Sequence, residues 1–204
     1  MWTKDQMNIN THWVVASHNK GKIKELGDIL KPYRVKLSSA ADFQLAAPEE
    51  TEKTFVGNAI LKARAACLST GLPCLADDSG LAVDALDGQP GVYSARWAGE
   101  DQDFTVAMNR VHEALSDKPT DDWTARFVCV VALARPDGSV SRFEGEIEGE
   151  IVWPPRGCGG FGYDPIFQPH RHRKVFAEMT RKEKAALSHR GRALSKLVAS
   201  EFAK

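Results

Sequence analysis

The chain has 204 residues, 43% of them hydrophobic and 26% charged, with 27 Lys/Arg balanced by 27 Asp/Glu. At about 150 residues per domain this is one domain, or one fold with two lobes, able to bury roughly 70% of its unfolded surface without disulfides or a structural metal. Such a composition excludes a disordered or fibrous chain, and no apolar run approaches the roughly 18 residues of a membrane span.

Polar Met1–Thr11 lacks the apolar core of a signal peptide and reads as a poorly ordered extension over residues 1–11, followed by a single domain over 12–204. Trp13 to Ala16 is a short apolar run of buried-strand type. It leads through Ser17-His18-Asn19-Lys20-Gly21-Lys22 into a helical pattern, with Ile23, Leu26 and Leu30 on one face and Pro32 as the stop. A strand–loop–helix junction of this kind offers unpaired backbone N–H groups and a positive dipole end to a phosphate. The same residues also suit an ordinary helix cap followed by solvated lysines, and no Walker loop is present.

Val35 to Leu37 predicts a second strand. Thr51 is the expected N-cap of a helix running to about Ser69 and ended by Gly71 and Pro73. Asn58 and Lys62, four apart, share a face of it; Lys62 sits at the margin of the apolar stripe, where it either snorkels outward or points into a cleft. Cys74–Ala76 and Leu81–Val83 read as short strands around Asp77-Asp78-Ser79-Gly80. Two adjacent carboxylates there suit a hard-cation ligand or a base for water, or else a turn in which Asp and Ser cap the backbone. If the strand continues through them, only one of the two can face a given site.

Phe104 to Leu115 predicts a helix. Phe127–Ala134 and Ser139–Ile151 flank Pro136-Asp137-Gly138, a hairpin turn signal. In Arg156 to Pro165, four of the chain's 16 glycines fall within six residues, which suits a backbone passing close to a ligand with Phe161 or Tyr163 stacked on a base, or else a floppy surface loop, an alternative that the two aromatics make less attractive. The last 25 residues read as helical, with Leu187, Leu194, Leu197 and Val198 as the apolar stripe and Ser188-His189-Arg190 between two stretches. Strands interleaved with helices, plus a long antiparallel hairpin, give an α/β fold with a mixed sheet.

Charge is uneven along the chain. His170 to Lys196 holds nine Lys/Arg and only Glu178 and Glu183, a net +7 set against −7 elsewhere. That suits a polyanion such as a nucleotide's phosphates or nucleic acid, and equally a solvated helical face. Cys67, Cys74, Cys129 and Cys158 are scattered with no C-x-x-C pair, which argues against a zinc knuckle or a disulfide framework and for a reduced, cytoplasmic setting.

Five blocks occur in order from residue 14 to about 197: SHNKGKIKEL, EETEKTFVGNAILKARAA, LADDSGLAVDALDGQPGVYSARWAGE, PRGCGGFGYDPIF and EMTRKEKAALSHRGRAL. Together they resemble the non-canonical purine NTP pyrophosphatases, the inosine triphosphatase-like enzymes that act on dITP, XTP and ITP. The resemblance implies a twisted mixed sheet with flanking helices, two lobes around a central nucleotide cleft, a homodimer, and Mg²⁺-dependent hydrolysis to monophosphate and pyrophosphate. It implies no nucleic-acid or membrane partner. By matching position, Ser17, His18, Asn19, Lys20, Gly21 and Lys22 would hold the triphosphate with Lys62 assisting. Asp78 would bind metal and activate water, Ser79 would touch substrate, and a carboxylate from Glu49 or Glu50 would join the metal. Phe161, Gly162, Tyr163 and Asp164 would wall the nucleoside pocket, completed by Lys184, His189 and Arg190. His18 stands where the family commonly has a small residue, and His170 to Lys174 has no family role to inherit.

Overall fold

A computed structural model describes residues 12–202; the extension expected over 1–11 lies outside the described residues. Six strands form one mixed sheet: β1 (His12–Val15), β2 (Lys36–Ser39), β3 (Cys74–Val83), β4 (Thr124–Ala134), β5 (Val140–Ile151) and β6 (Phe167–Pro169). Their order is β2-β1-β3-β4-β5-β6. β1 is parallel to both neighbours, and the β3–β4, β4–β5 and β5–β6 pairs are antiparallel. Five helices cover it: α1 (Lys20–Leu30), α2 (Phe55–Thr70), α3 (Phe104–Ser116), α4 (Arg181–Leu187) and α5 (His189–Phe202). None is long and apolar enough to cross a membrane, among the described residues.

Side-chain alternation along β3 sorts the core into faces. Leu75 joins Leu26 and Leu30 of α1 and Leu194 and Leu197 of α5, while Cys74 and Ala76 pack with Ala59, Ala63 and Ala66 of α2. Farther along the same strands, Leu81 and Val83 join Phe127, α3 and the segment around Phe176 in a third cluster. Two lobes result, joined by the long β3–β4–β5 ladder. The polar residues of β3 sit where one cluster gives way to the next.

Two expectations need correction. Asp77 to Gly80 is not a turn between two short strands: every residue from Cys74 to Val83 pairs with β4, and that ladder to an apolar neighbour holds the segment extended. Gly80 permits this, because a side chain there would run into the Gly91 carbonyl and the Ser94 hydroxyl. Thr54, not Thr51, caps α2, its hydroxyl accepting from the Gly57 N–H at 3.0 Å. The C-terminal segment divides at Ser188, between the two helical stretches that the sequence predicts, and the extended backbone and hydroxyl of Ser188 start α5 by accepting from the Gly191 N–H. The break divides the expected stripe: Leu187 packs into the α3 cluster, and Leu194, Leu197 and Val198 into that of α1. The Pro136-Asp137-Gly138 hairpin and the Gly71 stop of α2 are as the sequence predicts.

Candidate active site

The loop entering α1 uses its polar side chains on its own backbone. Asn19 Oδ1 accepts from the N–H groups of Gly21 and Lys22 at 2.9 and 3.2 Å, and Ser17 Oγ accepts from Asn19 N at 3.2 Å. The cap is therefore real, and it sits at the positive end of α1, facing a cleft. Lys20 opens the helix, and exposed His18 lies at the cleft rim. Lys22 is not a solvated lysine: its Nζ lies 2.9 Å from Asp77 Oδ2.

Because β3 runs on through both aspartates, they face opposite ways. Asp77, 3% exposed, points toward α1 and α5. Its Oδ2 accepts from Lys22, from Ser79 Oγ at 3.1 Å and from Arg190 Nη2 at 3.3 Å. Arg190 is itself buried, donating also to Ser79 Oγ at 3.0 Å and to Glu25 Oε2 at 2.7 Å. Burial alone would raise the Asp77 carboxyl, but Lys22 and Arg190 outweigh it and hold the group well below the ordinary carboxylate range.

Asp78, 6% exposed, points toward α2. Its Oδ1 accepts from the Ser79 N–H at 3.1 Å and lies 3.4 Å from Lys62 Nζ, which also lies 2.6 Å from Glu50 Oε1. Asp78 Oδ2 is buried with no well-formed hydrogen bond, the Asn58 side chain lying nearby. Here burial prevails over Lys62, and the carboxyl is raised. Lys62 is drawn the other way: burial would lower it, but Asp78, Glu50 and Asp77 keep its ammonium above the ordinary lysine value. It points into the cleft and does not snorkel outward.

Of the Glu49–Glu50 pair, Glu50 reaches this cluster, its carbonyl held by Arg96 Nη2 at 2.8 Å; Glu49 is exposed and does not line the cleft. No group of three or more His, Cys, Asp or Glu side chains suited to a metal occurs among the described residues. Glu50 and Asp78, the latter with Oδ2 buried and unpartnered, nonetheless fit Mg²⁺, which keeps several waters and uses one or two carboxylates plus substrate phosphates.

At the far end of the cleft the glycine-rich loop is a folded turn. Gly160 has φ +72° and sits against the Asp164 carboxylate, which leaves no room for a side chain. Asp164 accepts from the Phe161 N–H at 2.8 Å and from Lys184 Nζ at 2.5 Å. Phe161 is 39% exposed, with Lys184 Nζ 4.3 Å and Arg190 5.7 Å from its ring centre, so one face of an aromatic ring is offered beside two cations. Tyr163 is not available for stacking: 2% exposed, it packs edge-on to Phe104 and its hydroxyl donates to the Ser94 carbonyl at 2.8 Å. Gly162 keeps φ +69° and lies over Phe104. His189 stacks on Phe127 at 4.8 Å, with Nδ1 buried and unpartnered. Burial, then Arg190 and Lys184, hold its pKa well below 6.5, so the ring is neutral near pH 7.

These groups share one cavity of about 880 Å³, within the range of small-molecule sites. Asp78 meets it through Lys62 and Glu50, which line it. The basic segment does not form one free patch. Lys184 and Arg190 are buried in ion pairs, Lys174 pairs with Glu183, and Arg192 and Lys196 donate to the carbonyls of Glu146 and Glu144 on β5. Gly145 lets α5 lie this close, since a Cβ there would strike the helix backbone. Sequence reasoning missed Glu25, Arg96 and the tie from Asp77 to both cations. Glu25 was findable, three residues after Lys22 on the same face of α1.

A family model for the Ham1 family matches residues 13–200. The "dITP/XTP pyrophosphatase" of Rhodospirillum centenum is 55% identical over 193 residues, covering 93% of this chain and 94% of the relative. That of Ruegeria pomeroyi is 52% identical over 192 residues, with the same coverage. Among solved structures, a HAM1 protein from Coxiella burnetii superposes with a TM-score of 0.88 at 43% identity, covering 93% of this chain and 97% of that one. The agreement therefore extends from the β1–α1 loop to α5, through every element that builds the cleft, and the chain belongs to the Ham1 family.

Proposed function

We propose that this protein hydrolyses deaminated purine nucleoside triphosphates (dITP, XTP and ITP) between the α- and β-phosphorus, giving the monophosphate and pyrophosphate. The observation that carries the reading is one cavity with a cationic, carboxylate-floored end and an aromatic end, in a chain about half identical to dITP/XTP pyrophosphatases. A triphosphate carries close to four negative charges, and the α1 N-terminus, Lys22 and Lys62 are grouped to meet them. Ser17 to Lys22 form the phosphate-binding loop in this reading, and Ser79 adds a hydroxyl to the floor.

Asp78 is the proposed general base. Its Oδ2 is buried without a well-formed hydrogen bond, which leaves that oxygen an acceptor for a water proton. Asp78 and Glu50 would hold Mg²⁺, which when bound neutralises phosphate oxygens. The proton leaves the attacking water for Asp78, the new P–O bond forms at the α-phosphorus, and pyrophosphate departs with the electron pair of the broken P–O bond. Phe161 is the stacking platform, while Gly162, Tyr163 and Asp164 shape the pocket wall behind it.

Base choice follows from donors. Lys184 and Arg190 suit a 6-oxo group and leave adenine's 6-amino group facing N–H groups. An unpaired buried donor costs about 1–3 kcal/mol, roughly one to two decades in rate. Within this reading residues 12–204 act as one domain, and the enzyme works on the cytoplasmic nucleotide pool as a homodimer. The test is pyrophosphate release from ITP, XTP, dITP, GTP and ATP, with Mg²⁺ and with EDTA. Metal-dependent release favouring ITP and XTP supports the reading. Equal rates on all five discard the base discrimination, and no release from any discards the activity.

A further inference from the structure

The Lys62 ammonium occupies an unusual position for a phosphate-binding lysine. It is 12% exposed and bound to two carboxylates from different elements, Glu50 Oε1 at 2.6 Å and Asp78 Oδ1 at 3.4 Å. A hard cation bridging Glu50 and Asp78 would have to share both carboxylates with this ammonium. With Lys62 in place the trio carries a net charge of −1 in place of −2, and one oxygen of each carboxylate is already engaged. A divalent cation arriving alone must displace an ammonium while giving up part of its own hydration, which Mg²⁺ does reluctantly. A triphosphate changes the balance. It offers Lys62 phosphate oxygens on the cavity side, and its charge favours a second cation in the floor.

We infer that Lys62 is a place-holding cation: it masks the Glu50 and Asp78 oxygens in the free protein and yields them only when a phosphate chain draws it away. Metal and nucleotide then enter as one unit, and the free enzyme holds metal weakly. This rests on the reading of Glu50 and Asp78 as the metal-binding pair. Its failure is separable from failure of the activity, because the test reads metal binding in the absence of any nucleotide.

The experiment is calorimetric titration of Mg²⁺ alone into the wild-type protein, Lys62→Met and Lys22→Met. Lys22 serves as the control for charge, since it also acts on Asp78 at longer range but engages Asp77 directly. Lys62→Met should bind Mg²⁺ at least tenfold more tightly than the wild type, and Lys22→Met should change affinity less than threefold. Equal gains in both variants would reduce the effect to the general field and overturn the masking role, as would unchanged or weaker binding in Lys62→Met. Should Lys62→Met fail to fold, Lys62→Gln carries the same comparison. An independent reading uses the wild-type protein: the Lys62 ¹⁵Nζ resonance should hold its position in Mg²⁺ alone and move when inorganic tripolyphosphate is added. Movement in millimolar Mg²⁺ alone would equally overturn the inference. Pyrophosphate release by the wild-type enzyme, measured alongside, reports separately on the activity.

Discussion

Asp77 and Asp78 are neighbours in the chain and almost equally sealed, yet the two faces of β3 treat them in opposite ways. On the α1–α5 face, Asp77 meets Lys22 and Arg190 and is held deeply ionised. On the α2 face, Asp78 has only Lys62, shared with Glu50, and burial raises it. One carboxylate is locked through its Oδ2 into a network that joins the phosphate end of the cleft to the base end; the other shares a single cation with Glu50, and each keeps one buried oxygen without a partner. A strand's period of two has separated a holding role from a chemical one between adjacent residues.

The largest expected effect sharpens that contrast on the Asp78 side. Asp78→Asn should lower kcat for ITP by about 10²–10⁴, the contribution of a positioned general base. The fold should survive, because a group whose folded pKa is raised adds stability only while protonated. That contribution is full below the ordinary value near 3.8 and is lost as pH rises through the raised one, so near neutral pH the charge is a cost that Asn removes. Full activity in Asp78→Asn would transfer the base role elsewhere.

Asp77→Asn should behave in the reverse manner. It leaves Lys22 and Arg190 without their shared buried counter-charge, and breaking such a cluster costs about 3–5 kcal/mol. For a domain of this size that lowers Tm by roughly 10 °C in a calorimetric scan. The Asp77 pKa is depressed, so its stabilisation is present above the ordinary value near 3.8 and fades as pH falls through the lower folded one. The variant should therefore lose much of the wild type's acid sensitivity. A melt equal to that of the wild type would show that the network adds nothing to the fold.

Phe161→Ala probes the same network where it reaches the base. With Lys184 and Arg190 beside the ring, loss of the platform should raise KM for ITP about tenfold to a hundredfold, from a stacking contribution of about 1–3 kcal/mol, with kcat less affected. A fall in kcat alone would connect Phe161 to the chemistry at Asp78 in place of base binding.

The sequence carried different parts of this picture with different clarity. Periodicity exposed α1, and the Pro136-Asp137-Gly138 turn exposed the β4–β5 hairpin, because these signals are local. β3 was harder, since Asp-Asp-Ser-Gly is turn chemistry that only pairing with β4 along its whole length overrides. Which face each aspartate takes follows from alternation once the strand is known to be continuous. The ion pairs of Arg190 with Glu25 and Asp77 join residues more than a hundred positions apart, and no local pattern announces them. Tyr163 could not be told from Phe161 by sequence, because burial beneath Phe104 depends on α3 arriving from elsewhere.

The smallest effect tests how the Asp78 face is anchored. Lys62 and Asn58 reach β3 only because α2 starts where it does, and that start is set by Thr54 accepting from the Gly57 N–H. Thr51 stands three residues earlier, is exposed, and lies outside the helix. Thr54→Ala should cost about 1 kcal/mol, the usual loss of an N-cap, and lower Tm by about 2–4 °C. Thr51→Ala should stay within about 0.5 kcal/mol of the wild type, as surface changes away from such features do. Because fraying of the first turn reaches Asn58 before Lys62, Thr54→Ala should also weaken Mg²⁺-dependent turnover by a few-fold at most. A larger loss of turnover than of stability would mean that the first turn of α2 itself positions the groups around Asp78, and that the α2 face is held less firmly than the face that carries Asp77.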